Sequence, residues 1–206
     1  MSWAAHDIEP YLMRAKLGLS ISIPFCIFGS YSPDLFTKWA VYGLDFAGNQ
    51  KIVDDPVQLH RGFPGVGFTH SLLFPVVVAL IIWALGREKL WATSFLLGGW
   101  AHVLSDTFDS VGVMLLWPLT DWHLHFDVWQ YVGEAGRRTD AIAYHTSFGG
   151  VWDAFWVTWL LLRWRTLTTA VFIRDIYPKD PLWPRVQRAF GMAGALEVFT
   201  IISPFF

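Results

Sequence analysis

Four or five apolar segments, each separated from the next by a polar stretch, set the pattern of this chain. The strongest is Leu72–Gly86, and the short turn Arg87–Lys89 joins it to Leu90–Ser105. The remaining segments are Leu17–Tyr31, Phe148–Leu162 and Ala189–Phe206. Each is shorter than the ~20 residues that usually cross a bilayer. We therefore expect them to recruit flanking residues, to thin the bilayer, or to be partly buried against one another.

Two further regions refine this pattern. Pro24 interrupts the first segment, and the polar loop Ser32–Thr69 separates that segment from the second. Another apolar stretch, Val111–Leu119, is too short to cross a bilayer, so we expect a re-entrant or interfacial element there. Together these features predict an all-α, multi-pass helical membrane protein that forms a single domain over residues 1–206. It has four to five apolar helices and a long polar loop between the first and the second.

Composition supports a protein embedded in a membrane. Hydrophobic residues make up 54% of the chain and charged residues 16%, against ~25% charged in a typical soluble domain. Tryptophan, with 13 copies, is a residue favoured at membrane–water interfaces. A net charge of −2 without a basic cluster argues against a nucleic-acid partner. We expect membrane lipid as the partner, with other membrane subunits as an open alternative.

The distribution of basic residues predicts an orientation. With the amino terminus in the cytoplasm, ten of the 15 Lys and Arg residues lie on the cytoplasmic side and five lie opposite. This bias follows the positive-inside rule. The same orientation gathers six of the seven histidines at the other face, together with Asp34, Asp106 and Asp109. Charge bias and ligand clustering thus both predict a site at the periplasmic or outer boundary of the membrane.

His102, Asp106 and Asp109 recur at helical spacing around the end of an apolar segment. Positions i, i+4 and i+7 of a helix lie on one stripe, and imidazole with carboxylate suits Zn²⁺, Mn²⁺ or Fe. The pattern therefore indicates a metal site or an acid/base site. The alternative is an Asp–His pair or a helix-end cap with a purely structural role. The cap interpretation is strongest for Asp109, because Gly112 follows it.

Candidate ligands also precede the second apolar segment. Thr69 is placed to cap the helix that begins at Leu72, and the dipole at that helix end favours a neutral, metal-binding His70. Asp34, which follows an apolar helix and Pro33, is either a turn residue or a further metal ligand.

His60 and Arg61 form a third polar phrase. His60 is a candidate ligand, and the planar fork of Arg61 is suited to clamping a phosphate or a carboxylate; a solvated loop is the alternative. Weaker candidates are His123, His125, Asp127, His145, Asp153 and Glu197. The pair Gly98-Gly99 predicts close helix packing.

Taken in order, these phrases resemble a known family. They are Pro33-Asp34, His60-Arg61-Gly62, Phe68-Thr69-His70-Ser71, His102-Val-Leu-Ser-Asp106 and Gly112-Val-Met-Leu-Leu-Trp117-Pro118. The chain in this region, Ser32–Leu119, resembles the LexA-regulated, inner-membrane-associated metal-dependent hydrolase family. The resemblance implies a multi-pass helical protein of the bacterial inner membrane with a metal-dependent hydrolase site. Asp109 stands where that family tends to have Thr.

The first functional hypothesis is a membrane-bound, metal-dependent hydrolase acting on a lipid-linked ester, phosphoester or amide. The expected metal ligands are His70, His102 and Asp106, with Asp34 or His60 completing the shell. The metal is most simply Zn²⁺, with Mn²⁺ or Fe as alternatives. Asp109 would orient or deprotonate a water, and Arg61 would steady an anionic substrate. The alternative is a non-catalytic helical subunit or accessory protein of a larger membrane assembly; a metal or proton transporter is a third hypothesis.

Overall fold

The part of the chain that the structure describes is mostly helical. The computed structural model describes residues 21–35, 61, 67–131 and 142–167. The helices are α1 (Ile23–Leu35), α2 (Leu73–Gly86), α3 (Lys89–Ser105) and α4 (Phe148–Leu167). Short 3₁₀ helices, Gly67–His70 and Asp106–Phe108, precede α2 and follow α3. The prediction of an all-α protein is confirmed for this part of the chain, which forms no strand.

Three predicted segments coincide with helices. The second and third segments become α2 and α3 within one residue at each end, and the fourth becomes α4, which continues to Leu167. The polar turn between α2 and α3 forms as expected: Arg87 adopts a φ of 57°, and its N–H donates to the carbonyl oxygen of Trp83. The last predicted segment, residues 189–206, lies outside the described residues.

The first helix differs from its prediction in its bounds. α1 begins at Ile23, so Pro24 lies in the first helical turn instead of interrupting the helix. Proline is tolerated there because the amide N–H that it lacks would have no partner within the helix. The helix then continues through Pro33 to Leu35, and this extension carries Asp34 on its last turn.

None of the described helices is both long enough and apolar enough for a membrane span.

α1 and α3 pack at backbone contact distance. A Cβ atom on Gly98 of α3 would lie 1.8 Å from the carbonyl oxygen of Cys26 in α1. On the side of α2, a Cβ atom on Gly99 would lie 2.6 Å from the Pro75 ring. Only glycine lets the backbones approach this closely, so the predicted packing role of Gly98 and Gly99 is confirmed. Since α2 and α3 are joined by a short turn, the end of α1, the start of α2 and the end of α3 meet at one end of the bundle.

The chain after α3 is irregular and packs against the start of α2. The Leu72 N–H donates to the Leu115 carbonyl oxygen at 3.0 Å, and the rings of Phe68 and Trp117 lie 5.4 Å apart. Two isolated bridges, Asp109–Trp129 and Val113–Leu124, fold this stretch onto itself. The expected re-entrant or interfacial element at residues 111–119 therefore takes the form of turns beside the end of the bundle where α1, α2 and α3 meet.

Candidate metal centre

Three predicted ligands converge where these helix ends meet. Asp34 lies in the last turn of α1, His70 in the 3₁₀ helix before α2, and His102 in the last turn of α3. One donor atom from each residue lies within 4.8 Å of the other two. Both histidines are buried, and the Asp34 side chain is 19% exposed. Two imidazoles and one carboxylate are a common donor set for Zn²⁺ and Fe²⁺, so this group is able to hold a divalent ion.

Asp106, a predicted ligand, is not one of the three residues of this group, but it places an oxygen beside both histidines. Its Oδ2 lies 3.2 Å from His102 Nε2 and 3.5 Å from His70 Nε2. Asp34 Oδ1 lies 3.3 Å from His70 Nε2 and 3.9 Å from His102 Nε2. A tetrahedron with metal–ligand bonds of ~2.0–2.1 Å has edges of about 3.3 Å. The four histidine–aspartate separations, 3.2 to 3.9 Å, lie around or somewhat above that value.

Thr69 determines which nitrogen of His70 carries the proton. Its hydroxyl donates to the Pro33 carbonyl oxygen at 3.0 Å, so the same hydroxyl oxygen accepts the Nδ1–H of His70 at 3.1 Å. This assigns the tautomer that leaves the Nε2 lone pair for the centre. Burial lowers the pKa of His70, which favours the neutral imidazole that binds metals. The cap predicted for Thr69 is supplied instead by Ser71, whose Oγ accepts the Phe74 N–H at 3.3 Å.

Arg61 is buried beside two of the aspartates. Its Nη2 lies 3.0 Å from Asp106 Oδ2, its Nη1 contacts Asp109 Oδ2, and its Cζ lies 4.8 Å from the centre of the Tyr131 ring. Burial alone would lower the pKa of Arg61, but the charges of Asp106 and Asp109 outweigh it and raise that pKa. Burial alone would raise the pKa of Asp106, but the charge of Arg61 and the contact with His102 hold that pKa well below its usual value. Tyr131 carried no sequence signal as a site residue, because only the tertiary fold brings its ring to Arg61.

Asp109 closes the turn that follows α3. The helix ends before this residue, so the predicted stripe of three residues is helical only for the first two, and Asp109 reaches the cluster from extended backbone. Its Oδ1 accepts the N–H groups of Val111 at 3.0 Å and Gly112 at 2.6 Å. Gly112 has a φ of 69°, a conformation that favours glycine. Asp109 thus stabilises a turn beyond the end of α3, which Asp106 and not Asp109 caps, while its Oδ2 contacts Arg61. Catalytic roles for Asp109 and Arg61 stay predictions.

The other sequence candidates do not join this group. His60 and Glu197 lie outside the described residues. The group of residues able to hold a metal does not include His123, His125, His145 or Asp153. His125 Nδ1 instead pairs with Asp127 Oδ2 at 3.2 Å on the surface, and Asp153 accepts a 3.2 Å hydrogen bond from the Tyr144 hydroxyl.

The fold and the buried cluster define a helical protein with a candidate metal centre of histidine and aspartate. Comparison with known families assigns the chain to one of them. The chain belongs to the family described as YdjM inner membrane protein, whose profile matches residues 8–172. This match covers the whole candidate centre and supports the family resemblance noted in the sequence. The description of the family gives a location in the inner membrane and no activity. No curated protein and no solved structure gives a significant match.

Proposed function

We propose that this protein is a membrane-bound, metal-dependent hydrolase whose ion is held by Asp34, His70 and His102, with Asp106 as the fourth donor. The observation that carries the proposal is the convergence of these four donor atoms, at separations of 3.2, 3.3, 3.5 and 3.9 Å. Zn²⁺ suits a mixed nitrogen and oxygen donor set of this size, with Mn²⁺ or Fe²⁺ as the alternatives.

The formal charge of the cluster supports a divalent ion. Among the described residues, the carboxylates of Asp34, Asp106 and Asp109 contribute three negative charges and Arg61 contributes one positive charge, which leaves −2. Uncompensated charge is costly to bury. One divalent cation would bring this group of side chains to neutrality.

The side chains around the centre divide into ligands and supports. When bound, a divalent ion supplies Lewis acidity and lowers the pKa of a water molecule. Asp34 is the most exposed of the four donors, at 19% against 2% or less for the others, so a substrate approaches from its side. Arg61 and Asp109 act in this proposal by holding Asp106 in place, since the guanidinium is already engaged by both carboxylates.

The surroundings of the centre support an amphiphilic substrate. The chain that packs against the start of α2 exposes the large apolar side chains of Leu119, Trp122 and Phe126. Aromatic residues of this kind are favoured at membrane–water interfaces, and the family is located in the inner membrane. The substrate class that fits both features is a lipid-linked ester, phosphoester or amide, bound where the headgroup region meets the protein.

The test is a measurement of metal content and hydrolysis on the full-length protein purified in detergent. Elemental analysis is expected to find a bound transition metal, and a panel of p-nitrophenyl esters and phosphodiesters is expected to show metal-dependent turnover. Both signals should be lost in His102→Ala and kept in His125→Ala, which changes a surface histidine. Wild-type protein without a transition metal, or with the same turnover after His102→Ala, would contradict the proposal.

A non-catalytic subunit is the second candidate function, and one observation favours it. With Asp106 as the fourth donor, the ion would have four protein ligands, and closed shells of this kind are typical of structural metal sites. Replacement by Co²⁺ separates the two functions through its visible spectrum. A spectrum that changes when azide is added indicates an open position and supports the hydrolase, whereas a spectrum that does not respond supports a structural role.

The proposed orientation places the amino terminus in the cytoplasm and the centre at the periplasmic face. In a Cys26→Ala background, Leu119→Cys lies on the exposed chain near the centre and Glu88→Cys lies in the exposed turn between α2 and α3. A membrane-impermeant thiol reagent added to intact cells should label the first variant and leave the second unlabelled. The reverse pattern of labelling would invert the topology.

A further inference from the structure

Asp106 presents one oxygen to two different cationic positions. On one side, its Oδ2 lies 3.2 Å from His102 Nε2 and 3.5 Å from His70 Nε2, which is the side of the proposed ion. On the other side, the same oxygen lies 3.0 Å from Arg61 Nη2. In centres with two metal ions, the ions lie ~3.5–4 Å apart, close enough for a carboxylate to bridge them. Asp106 has the placement of such a bridge.

Asp109 completes the second position. Its Oδ2 contacts Arg61 Nη1, while its Oδ1 is fixed by the N–H groups of Val111 and Gly112. The guanidinium therefore lies between two carboxylates, one shared with the ion position and one that serves the guanidinium alone. A second metal ion would need the same two carboxylates.

We propose that Arg61 takes the place of a second metal ion, so that this centre holds one divalent ion beside a permanent guanidinium charge. The inference rests on the metal site proposed above. Arg61 is buried, guanidinium stays protonated in proteins, and the Tyr131 ring 4.8 Å from its Cζ adds cation–π attraction. With Arg61 in place, one divalent ion already neutralises the formal charge of −2, and a second would leave a buried excess of positive charge.

Arg61 is accordingly a positioning residue that acts through Asp106. Its planar fork reaches both carboxylates at once, since Nη2 lies at Asp106 Oδ2 and Nη1 at Asp109 Oδ2. A lysine carries the same charge on a single nitrogen and cannot reproduce the fork. Arg61→Lys should therefore keep a single-ion centre while loosening the orientation of Asp106, whereas Arg61→Ala should open the second position.

The experiment is a Mn²⁺ titration of the full-length protein in detergent, followed by elemental analysis and by electron paramagnetic resonance. Wild type is expected to bind one Mn²⁺ per chain with the spectrum of an isolated ion. Arg61→Ala is expected to bind a second Mn²⁺, with the spectrum of an exchange-coupled pair. Arg61→Lys is expected to bind one Mn²⁺ with affinity ~10–100-fold weaker, the usual effect of a lost outer-shell partner. Arg87→Ala, in the exposed turn between α2 and α3, is the matched control and should equal wild type.

Each outcome decides between the inference and the proposed function. Two coupled ions in wild type, or Arg61 variants that bind Mn²⁺ as wild type does, would overturn the inference and leave the metal site standing. Wild type that binds neither Mn²⁺ nor Zn²⁺ would overturn the metal site itself. If Arg61→Ala fails to fold, the test rests on the Mn²⁺ affinity and the resonance spectrum of Arg61→Lys. If both equal those of wild type, the inference is overturned.

Discussion

Two His–Asp pairs in this protein have the same separation and opposite surroundings. His102 Nε2 and Asp106 Oδ2 lie 3.2 Å apart, with side chains 1% and 2% exposed. His125 Nδ1 and Asp127 Oδ2 also lie 3.2 Å apart, with side chains 43% and 63% exposed. Of these four residues, only His102 belongs to the group able to hold a metal, together with Asp34 and His70. The distance within a pair therefore does not decide whether the pair takes part in a metal centre. Burial and the presence of donor atoms from other elements decide it, because an exposed pair remains hydrated and its charges are screened.

The largest difference should appear in stability, between the ion pairs that Arg61 makes with the buried aspartates and the exposed pair of His125 and Asp127. Arg61→Met removes the positive charge beside the buried carboxylates of Asp106 and Asp109, and breaking a buried pair in this way costs about 3–5 kcal/mol. Asp127→Asn removes one partner of the exposed pair and should cost under ~1 kcal/mol. Thermal unfolding of the metal-free proteins in detergent measures both changes. Equal shifts would mean that burial does not distinguish the pairs.

Metal affinity should separate the two histidines next. His102→Ala removes a nitrogen donor from the centre, so the affinity for Zn²⁺ should fall by more than the ~10–100-fold that outer-shell changes cost. His125→Ala leaves every proposed ligand in place and should bind as wild type. Competition against a chromophoric chelator measures the two dissociation constants. A similar loss in both variants would remove the distinction drawn between the pairs.

The close approach of α1 and α3 brings Asp34 to the buried pair of His102 and Asp106. A substitution that adds a single Cβ atom between the two helices should disrupt this approach. A Cβ on Gly98 would lie 1.8 Å from the Cys26 carbonyl oxygen, whereas one on Gly86 would meet only the Trp91 ring at 3.4 Å. Gly98→Ala should lower the free energy of unfolding by about 1–3 kcal/mol, as overpacking does. Gly86→Ala should leave it unchanged or raise it by about 0.4–1 kcal/mol. Chemical unfolding of both variants in mixed micelles compares them, and equal effects would argue against the packing account.

The smallest predicted effect concerns the proton on His70. Thr69→Val removes the acceptor of the Nδ1–H, so the metal affinity should fall by ~10-fold, at the lower end of outer-shell effects. Thr93→Val is the matched control, because the Thr93 hydroxyl donates only within its own helix, to the carbonyl oxygens of Lys89 and Leu90. Zn²⁺ affinity is measured for both by calorimetric titration. An unchanged affinity in Thr69→Val would show that His70 does not need this partner.

Much of the fold followed from local patterns. The apolar segments predicted α2 and α3 to within one residue at each end, because their hydrophobic runs are continuous and a polar turn separates them. The spacing of His102 and Asp106 predicted their contact, since positions i and i+4 are neighbours on a helix. The bounds of α1 were less predictable, because a proline near a helix start can either interrupt the helix or open it.

The surroundings of Asp106 depended on contacts that no local pattern contains. Arg61 and Asp106 are 45 positions apart in the chain, and Tyr131 reaches the guanidinium from a different stretch again. Arg61 looked suited to an anionic substrate because its fork binds carboxylates and phosphates alike. Only the fold showed that carboxylates of the chain itself, those of Asp106 and Asp109, engage it.

The sequence by itself determined the helices, the histidine and aspartate candidates, and the pairing of His102 with Asp106, since these depend on residue type and on short-range helical geometry. The tertiary structure decided which candidates meet. Asp34 reaches the pair because Gly98 allows α1 and α3 to touch at the backbone, and the start of α2, which follows His70, packs against Gly99 through Pro75. The similar pair of His125 and Asp127 stays at the surface. The physical reason is that a buried centre requires several carboxylates and imidazoles to be desolvated together, and only long-range packing can compensate that cost.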